Sequence, residues 1–385
     1  MFSSRLNWRV PRTQITALLE EKRSRGDAIL DLTESNPTQA GFIYTSDSIL
    51  GALADPRSLV YEPTPQGLPA ARGAIAEYYS GRVALERILV TASTSEAYGF
   101  LLKLLCDPAD EVLAPRPSYP LFDFLAALDS VRIVQYPLVY QHEWAIDLDA
   151  LARSINEKTR AIIVVNPNNP TGSFLKKDEL AALIELCREH HLALISDEVF
   201  SDYGYEDDPR RVASLTDVED VLTFSMSGLS KVAGLPQLKL GWIVANGPAG
   251  EREQALKNLE LIADTYLSVG TPVQWAAAAL LGVRQCIQPQ ILERVRTNRT
   301  FLIEQIGPNS PWRLLEAEGG WYAVIQAPRI QSEEEWVLAL LAEDQVFVQP
   351  GFFFDFETEA FLVVSLLTPA AIFREGIRRM LARAV

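Results

Sequence analysis

The chain is built from short, almost wholly apolar runs, separated by stretches in which apolar residues recur every three or four positions. The apolar runs occupy residues 87–91, 111–114, 131–136, 161–165, 192–196, 221–224 and 240–245. Because they are continuous rather than alternating, they predict strands buried on both faces. Residues 95–105, 119–128, 148–155 and 177–190 carry the helical period between them. Strand and helix in alternation predict an α/β fold, in which a mostly parallel seven-stranded sheet is covered by helices on both faces.

The flanks read differently. Residues 11–25 predict a helix that stops at Gly26, 29–32 a short strand, 33–38 a polar turn, 61–67 a Pro-rich loop, and 68–79 a helix. After Asn246 the pattern changes. Residues 250–306 read as almost wholly helical, with breaks at 270–272 and at Pro289. The tail predicts strands at 321–326, 346–349 and 361–366 and helices at 333–343 and 369–384, an α+β unit. The boundary falls within residues 250–290. We expect a large domain over residues 41–260 and a smaller α+β domain made of residues 1–40, which include an N-terminal arm, and 261–385.

Composition narrows the partners. The length of 385 residues suits two packed domains rather than one small core. A formal net charge of −15 argues against nucleic acid and anionic membrane as partners, since both call for a basic surface. Cys106, Cys187 and Cys286 are odd in number and form no CxxC pair, so reduced core thiols in a cytoplasmic protein are expected. His142, His190 and His191 lack metal-ligand spacing, and no metal is expected. Residues 1–10 carry no apolar leader pattern, and no stretch is long enough to span a bilayer.

Candidate chemistry gathers where the predicted strands end, the edge at which open α/β sheets bind ligands. Thr91-Ala92-Ser93-Thr94-Ser95 ends one strand and opens a helix, as a phosphate site or a plain N-cap would. Arg116-Pro117-Ser118-Tyr119-Pro120 presents an aromatic face between two prolines. Asn166-Pro167-Asn168-Asn169-Pro170-Thr171-Gly172 is a stiff loop able to aim an amide. Ser196-Asp197-Glu198 leaves an acid at the tip of a buried strand, where it either caps a helix or meets a cation. Ser225-Met226-Ser227-Gly228-Leu229-Ser230-Lys231 ends a strand in a small-residue loop and one lysine, which is able to form a Schiff base with an aldehyde cofactor. Each of these has an ordinary structural explanation by itself. Together, a phosphate cradle, a ring stacker, an amide, an acid and a lysine on successive strands make up the requirements of a pyridoxal 5′-phosphate (PLP) site.

On these motifs the chain resembles the fold-type I PLP enzymes of the class I/II aminotransferase family, from about Leu30 to the C-terminal helix. Residues 166–172, 196–198 and 230–231 match best, with weaker matches at 61–67 and 348–351. The resemblance implies that Lys231 holds PLP and moves the substrate's Cα proton. It implies that Asp197 pairs with the pyridinium nitrogen, Asn169 bonds the ring oxygen and Tyr119 stacks on the ring. Thr94, Ser95, Ser230 and Lys239 would bind phosphate. Tyr61 would reach the phosphate of a neighbouring subunit, which implies a homodimer.

Four positions depart from the family pattern. Phe200 stands where a tyrosine usually bonds the ring oxygen, and Gly228 where a serine is common. Lys239 replaces a phosphate-clamping arginine, keeping the charge without the fork. Val363 replaces the arginine that grips the substrate's α-carboxylate, so either another cation (Arg116, Arg5, Arg9 or Arg12) takes over or the substrate lacks a carboxylate there. The expected function is PLP-dependent amino transfer from an amino acid or amine donor to a 2-oxo acid acceptor. A PLP-dependent lyase or decarboxylase on the same site, or a PLP-binding protein with weakened catalysis, are the alternatives.

Overall fold

The computed structural model describes residues 2–6 and 13–383. Its first strand, β1 (Leu30–Asp31), lies outside the main sheet. Eight strands form that sheet: β2 (Ile88–Thr91), β3 (Glu111–Arg116), β4 (Arg132–Gln141), β5 (Glu143–Ile146), β6 (Thr159–Val165), β7 (Ala193–Asp197), β8 (Thr223–Gly228) and β9 (Gly241–Asn246). Their spatial order is β2-β9-β8-β7-β6-β3-β4-β5. The run β8, β7, β6, β3, β4 is parallel throughout, while β9 lies antiparallel to both of its neighbours. Seven strands fall where the apolar runs predict them. The eighth, β5, pairs antiparallel with β4 as a hairpin turning at His142, whose φ is 72°. Its sequence, Glu-Trp-Ala-Ile, is too short and too mixed to carry a strand signal of its own.

Burial on both faces explains the apolar runs. From β6, Ala161, Ile163 and Val165 pack with Leu101 of the helix Thr94–Leu105 and Leu259 of the helix Ala249–Tyr266. The alternate residues Ile162 and Val164 pack with Leu183 and Cys187 of the helix Lys177–His190 and with Leu151 of the helix Leu148–Ser154. A period of two thus sends successive side chains into two different apolar layers, and neither set can be polar.

The remaining strands are β10 (Arg313–Leu314), β11 (Tyr322–Gln326), β12 (Val346–Phe347), β13 (Gln349–Pro350) and β14 (Phe361–Ser365). β10, β11, β14 and β13 form an antiparallel sheet in that order, and β1 pairs in parallel with β12, tying the N-terminal segment to the C-terminal part of the chain. Two sequence expectations change here. Pro289 does not break its helix, which runs unbroken over Arg284–Gln305. The proline sits near the start, where it costs one backbone hydrogen bond, and buried Ile287, Ile291 and Val295 at four-residue spacing hold the helix to the core. Of the thiols, Cys187 is buried and Cys106 half-buried, but Cys286 is exposed on that same helix rather than in the core.

Candidate active site

Because β2, β3, β6, β7 and β8 point the same way, their carboxyl ends meet along one edge, and a cavity of about 280 Å³ opens there. Thr94, Ser95, Tyr119, Asn169, Asp197, Ser230, Lys231 and Lys239 all line it, so eight of the nine residues singled out in the sequence share one chamber. The ninth, Tyr61, does not. It is 76% exposed, on a loop with Leu59 (88%) and Val60 (64%), and borders a separate hollow against Leu267 and Gln274.

The lysine sits on one tight turn of helix, Leu229–Val232, directly after β8. Three side chains from distant segments hold that turn and the residues just after it by their carbonyls. Tyr203 Oη donates to Lys231 O (2.6 Å), Gln288 Nε2 to Val232 O (2.8 Å) and Tyr44 Oη to Gly234 O (2.7 Å). Lys231 Nζ lies 5.1 Å from the ring centre of Trp321 and 5.5 Å from that of Phe200. Burial against these rings lowers its pKa to about 8, opposed by the nearby charge of Asp197. Gly228 pairs with Gly241 across β8 and β9, and a Cβ on Gly228 would stand 3.0 Å from Leu240 O. A side chain at this position would press on the neighbouring strand, a tighter fit than glycine requires.

Asp197 ends β7 at 8% exposure. Burial pushes its pKa up to about 6, against hydrogen bonds from Val199 N (3.2 Å to Oδ1) and Tyr98 Oη (3.2 Å to Oδ2) and the charge of Lys231. A buried carboxylate so placed is completed by a cation in the cavity. Tyr98 escapes a reading by motifs, although it lies four residues after Thr94 and hence on the same side of the helix. Glu198, next in sequence, turns the other way. Ser214 Oγ (2.6 Å) and Leu215 N (2.8 Å) satisfy it outside the cavity.

The asparagine loop is locked to the tyrosine loop by Asn168. Its Nδ2 donates to Pro117 O (3.0 Å) and to Thr171 Oγ1 (2.9 Å), and its Oδ1 accepts from Ser118 Oγ (2.8 Å). Asn169 is thereby left free to face the cavity, and its buried Oδ1 has no partner among the described residues. At the other end Ser93 caps the helix Thr94–Leu105, its Oγ accepting from Glu96 N (3.1 Å). The first helical N–H groups, those of Thr94 and Ser95, stand beside Ser230 and Lys239. Free N–H groups, hydroxyls and an ammonium suit a phosphate. An amide oxygen facing the cavity, a buried acid and a buried amine suit a pyridinium aldehyde. These features together fit PLP.

The cations considered for a substrate carboxylate lie elsewhere. Arg116 pairs with Glu357 and reaches Gln135 Oε1 (3.5 Å). Arg5 donates to Leu128 O (3.1 Å), and Arg9 and Arg12 fall outside the described residues. Val363 is wholly buried in an apolar cluster with Trp144, Val324 and Phe354.

The family model described as aminotransferase class I and II matches residues 27–378. The chain is 30% identical over 363 residues to glutamate-pyruvate aminotransferase AlaA of Escherichia coli, covering 91% of this chain and 89% of that protein. It is 29% identical over 359 residues to an alanine aminotransferase of Mycobacterium tuberculosis, covering 89% and 82%. A crystal structure of an Escherichia coli aminotransferase superposes with a TM-score of 0.87 at 26% identity, covering 99% of this chain and 97% of that one. The motifs at the strand ends, the cavity they enclose and these likenesses agree: the chain belongs to the class I and II aminotransferases and is a PLP-dependent enzyme of that family.

Proposed function

We propose that amino transfer takes place in the chamber around Lys231, from an amino acid or amine to a 2-oxo acid, with each lining residue in a defined role. The observation that carries this is the convergence of Lys231, Asp197, Asn169 and the Thr94–Ser95 helix start on one cavity. The bound cofactor supplies an electron sink for charge developing at the substrate's α-carbon. Lys231 holds the cofactor through its amine and takes and returns the α-proton. Its lowered pKa leaves a useful fraction of free amine to capture the cofactor near neutral pH. Asp197 keeps the ring nitrogen protonated, steadied by Tyr98 and the Val199 N–H. Asn169 bonds the ring oxygen, and Tyr119 covers the ring. Thr94, Ser95, Ser230 and Lys239 hold the phosphate.

The exposure of Tyr61, with Leu59 and Val60 beside it, supports a homodimer in which Tyr61 completes the phosphate site of the other subunit. The main sheet, the antiparallel sheet β10–β14 and the β1–β12 pair support a large domain over 41–260 and a small one made of 1–40 and 261–385. Among the described residues no helix is long and apolar enough to cross a membrane, and we place the enzyme in the cytoplasm.

The test is substitution of the lysine. Lys231→Ala should retain the fold by circular dichroism and lose amino transfer by at least about a thousandfold, the upper range of a general acid–base contribution. A variant keeping a tenth of the wild-type rate would remove Lys231 from the reaction.

A further inference from the structure

A second cavity, of about 330 Å³, adjoins the chamber of Lys231. The two share Ser35, Tyr119, Asn169 and Tyr322 as walls, so a molecule reacting at Lys231 extends directly into it. Phe353 and Phe354 close its far side, with Gln349 as an added polar group. Among its described residues this chain places no charged side chain in the lining. The Tyr322 and Phe354 rings stand edge to face, 6.4 Å between centres. Phe354 is backed by Val363, Val324 and Trp144, an apolar layer that offers a charge no partner.

The charges near this cavity are mostly acidic. The charge of Glu34 bears on Tyr322, Asp355 follows Phe354 in sequence and accepts from Gln135 Nε2 (2.9 Å), and Arg116 is already neutralised by Glu357. A carboxylate in this cavity would exchange water for aromatic rings and negative neighbours. An aromatic or branched alkyl group would exchange water for ring faces at ordinary packing distances.

We propose that this cavity receives the part of the amino donor beyond the amine-bearing carbon, and that it selects an uncharged aromatic or branched alkyl group. The inference rests on the reading of Lys231 as the reacting amine. A dicarboxylic donor such as glutamate has only charged ends to offer the cavity. Phenylalanine and leucine each have one apolar end, and 2-phenylethylamine has nothing else.

The experiment mixes the PLP-loaded enzyme with each of these donors and follows the absorbance of the bound cofactor in a single half-reaction. We expect the apparent second-order rate constants for phenylalanine, leucine or 2-phenylethylamine to exceed those for glutamate and aspartate by at least about 100-fold, since an unpaired charge is rejected far more strongly than a missing methylene. Glutamate or aspartate reacting as fast as the apolar donors overturns the inference and leaves the role of Lys231 intact. No spectral change with any donor removes that role, and the inference with it.

Two further measurements do not depend on the wild-type rates. Binding of unreactive acids, read by tryptophan fluorescence, should favour 3-phenylpropanoate over glutarate by at least about tenfold, and the reverse order counts against the proposal. Phe353→Arg, at a half-exposed position, places a cation at the wall. It should shift the ratio of glutamate to phenylalanine rates by at least about tenfold toward glutamate, and an unchanged ratio would show that the donor does not enter this cavity.

Discussion

At Lys231 and Asp197 the same physical term, loss of water, acts in opposite directions on two groups of opposite charge. Burial lowers the lysine to about 8 and raises the aspartate to about 6. At pH 7.5 about a quarter of such lysines are neutral, against about one in a thousand for an ordinary lysine. Capture of pyridoxal by the cofactor-free protein should therefore speed up with pH to a half-maximum near 8, measured by stopped-flow absorbance. A half-maximum near 10 would mean that the amine is solvated. The stability consequences differ in sign. Native Asp197 keeps its proton at pH values where the unfolded chain has lost it, so its contribution is present below the unfolded carboxylate pKa and is lost as pH rises to about 6. Native Lys231 gives up its proton before the unfolded chain does, so its contribution grows as pH rises from about 8 to the unfolded value.

Among the elements, the loops after β3 and β6 matter most, because they set Tyr119 and Asn169 on one wall. Asn168 ties them together, and Gly172 seats the second loop against the segment before β11. Gly172 has φ +70°, and a Cβ there would drive into the Gly319 carbonyl oxygen and stand 2.9 Å from Ala317 Cβ. Gly81 has a similar φ of +71° with nothing among the described residues within 4 Å of such a Cβ. The pair separates strain from collision. Gly81→Ala should cost about 1–2 kcal/mol, the left-handed penalty alone. Gly172→Ala should cost at least about 3 kcal/mol, because backbone must move as well, and should slow amino transfer in proportion to the displacement of Asn169. Urea denaturation of both variants measures the difference, and equal losses would mean that the contact with Gly319 yields freely.

For the whole molecule, the question is whether one chain makes a complete site. Tyr61 lies on the outer surface of its own chain, away from the chamber that holds the other eight residues. If it serves the neighbouring subunit, an inactive variant and an impaired one will complement each other. Lys231→Ala and Tyr61→Phe, unfolded together and refolded as mixed dimers, place both lesions in one site and leave the other intact. Activity should then rise toward about a quarter of wild type, since half the dimers are mixed and each has one good site. A mixture no better than the sum of its parents would return Tyr61 to its own chain or to a structural role.

The period of the chain by itself determined the sheet, the alternation of its two buried faces and the edge at which ligands bind, because continuous apolar runs cannot be placed anywhere but between two apolar layers. The order of small, polar and ionisable residues after those runs also determined the composition of the chamber, since parallel strands deliver their ends to one place. Contacts between segments far apart in the chain carry no period and could be decided only by folding. They include Tyr98 under Asp197, Asn168 bridging to Pro117 and Ser118, the three carbonyl bonds that hold the lysine turn, and the Phe353–Phe354 wall. The course of the helix through Pro289 and the hairpin strand β5 belong with them, because tertiary packing outweighed a local signal in the one and supplied what the local sequence lacked in the other. Burial, which sets the pKa values at the site, is likewise a property of the assembled molecule: the same lysine and aspartate in the unfolded chain would titrate as any others do.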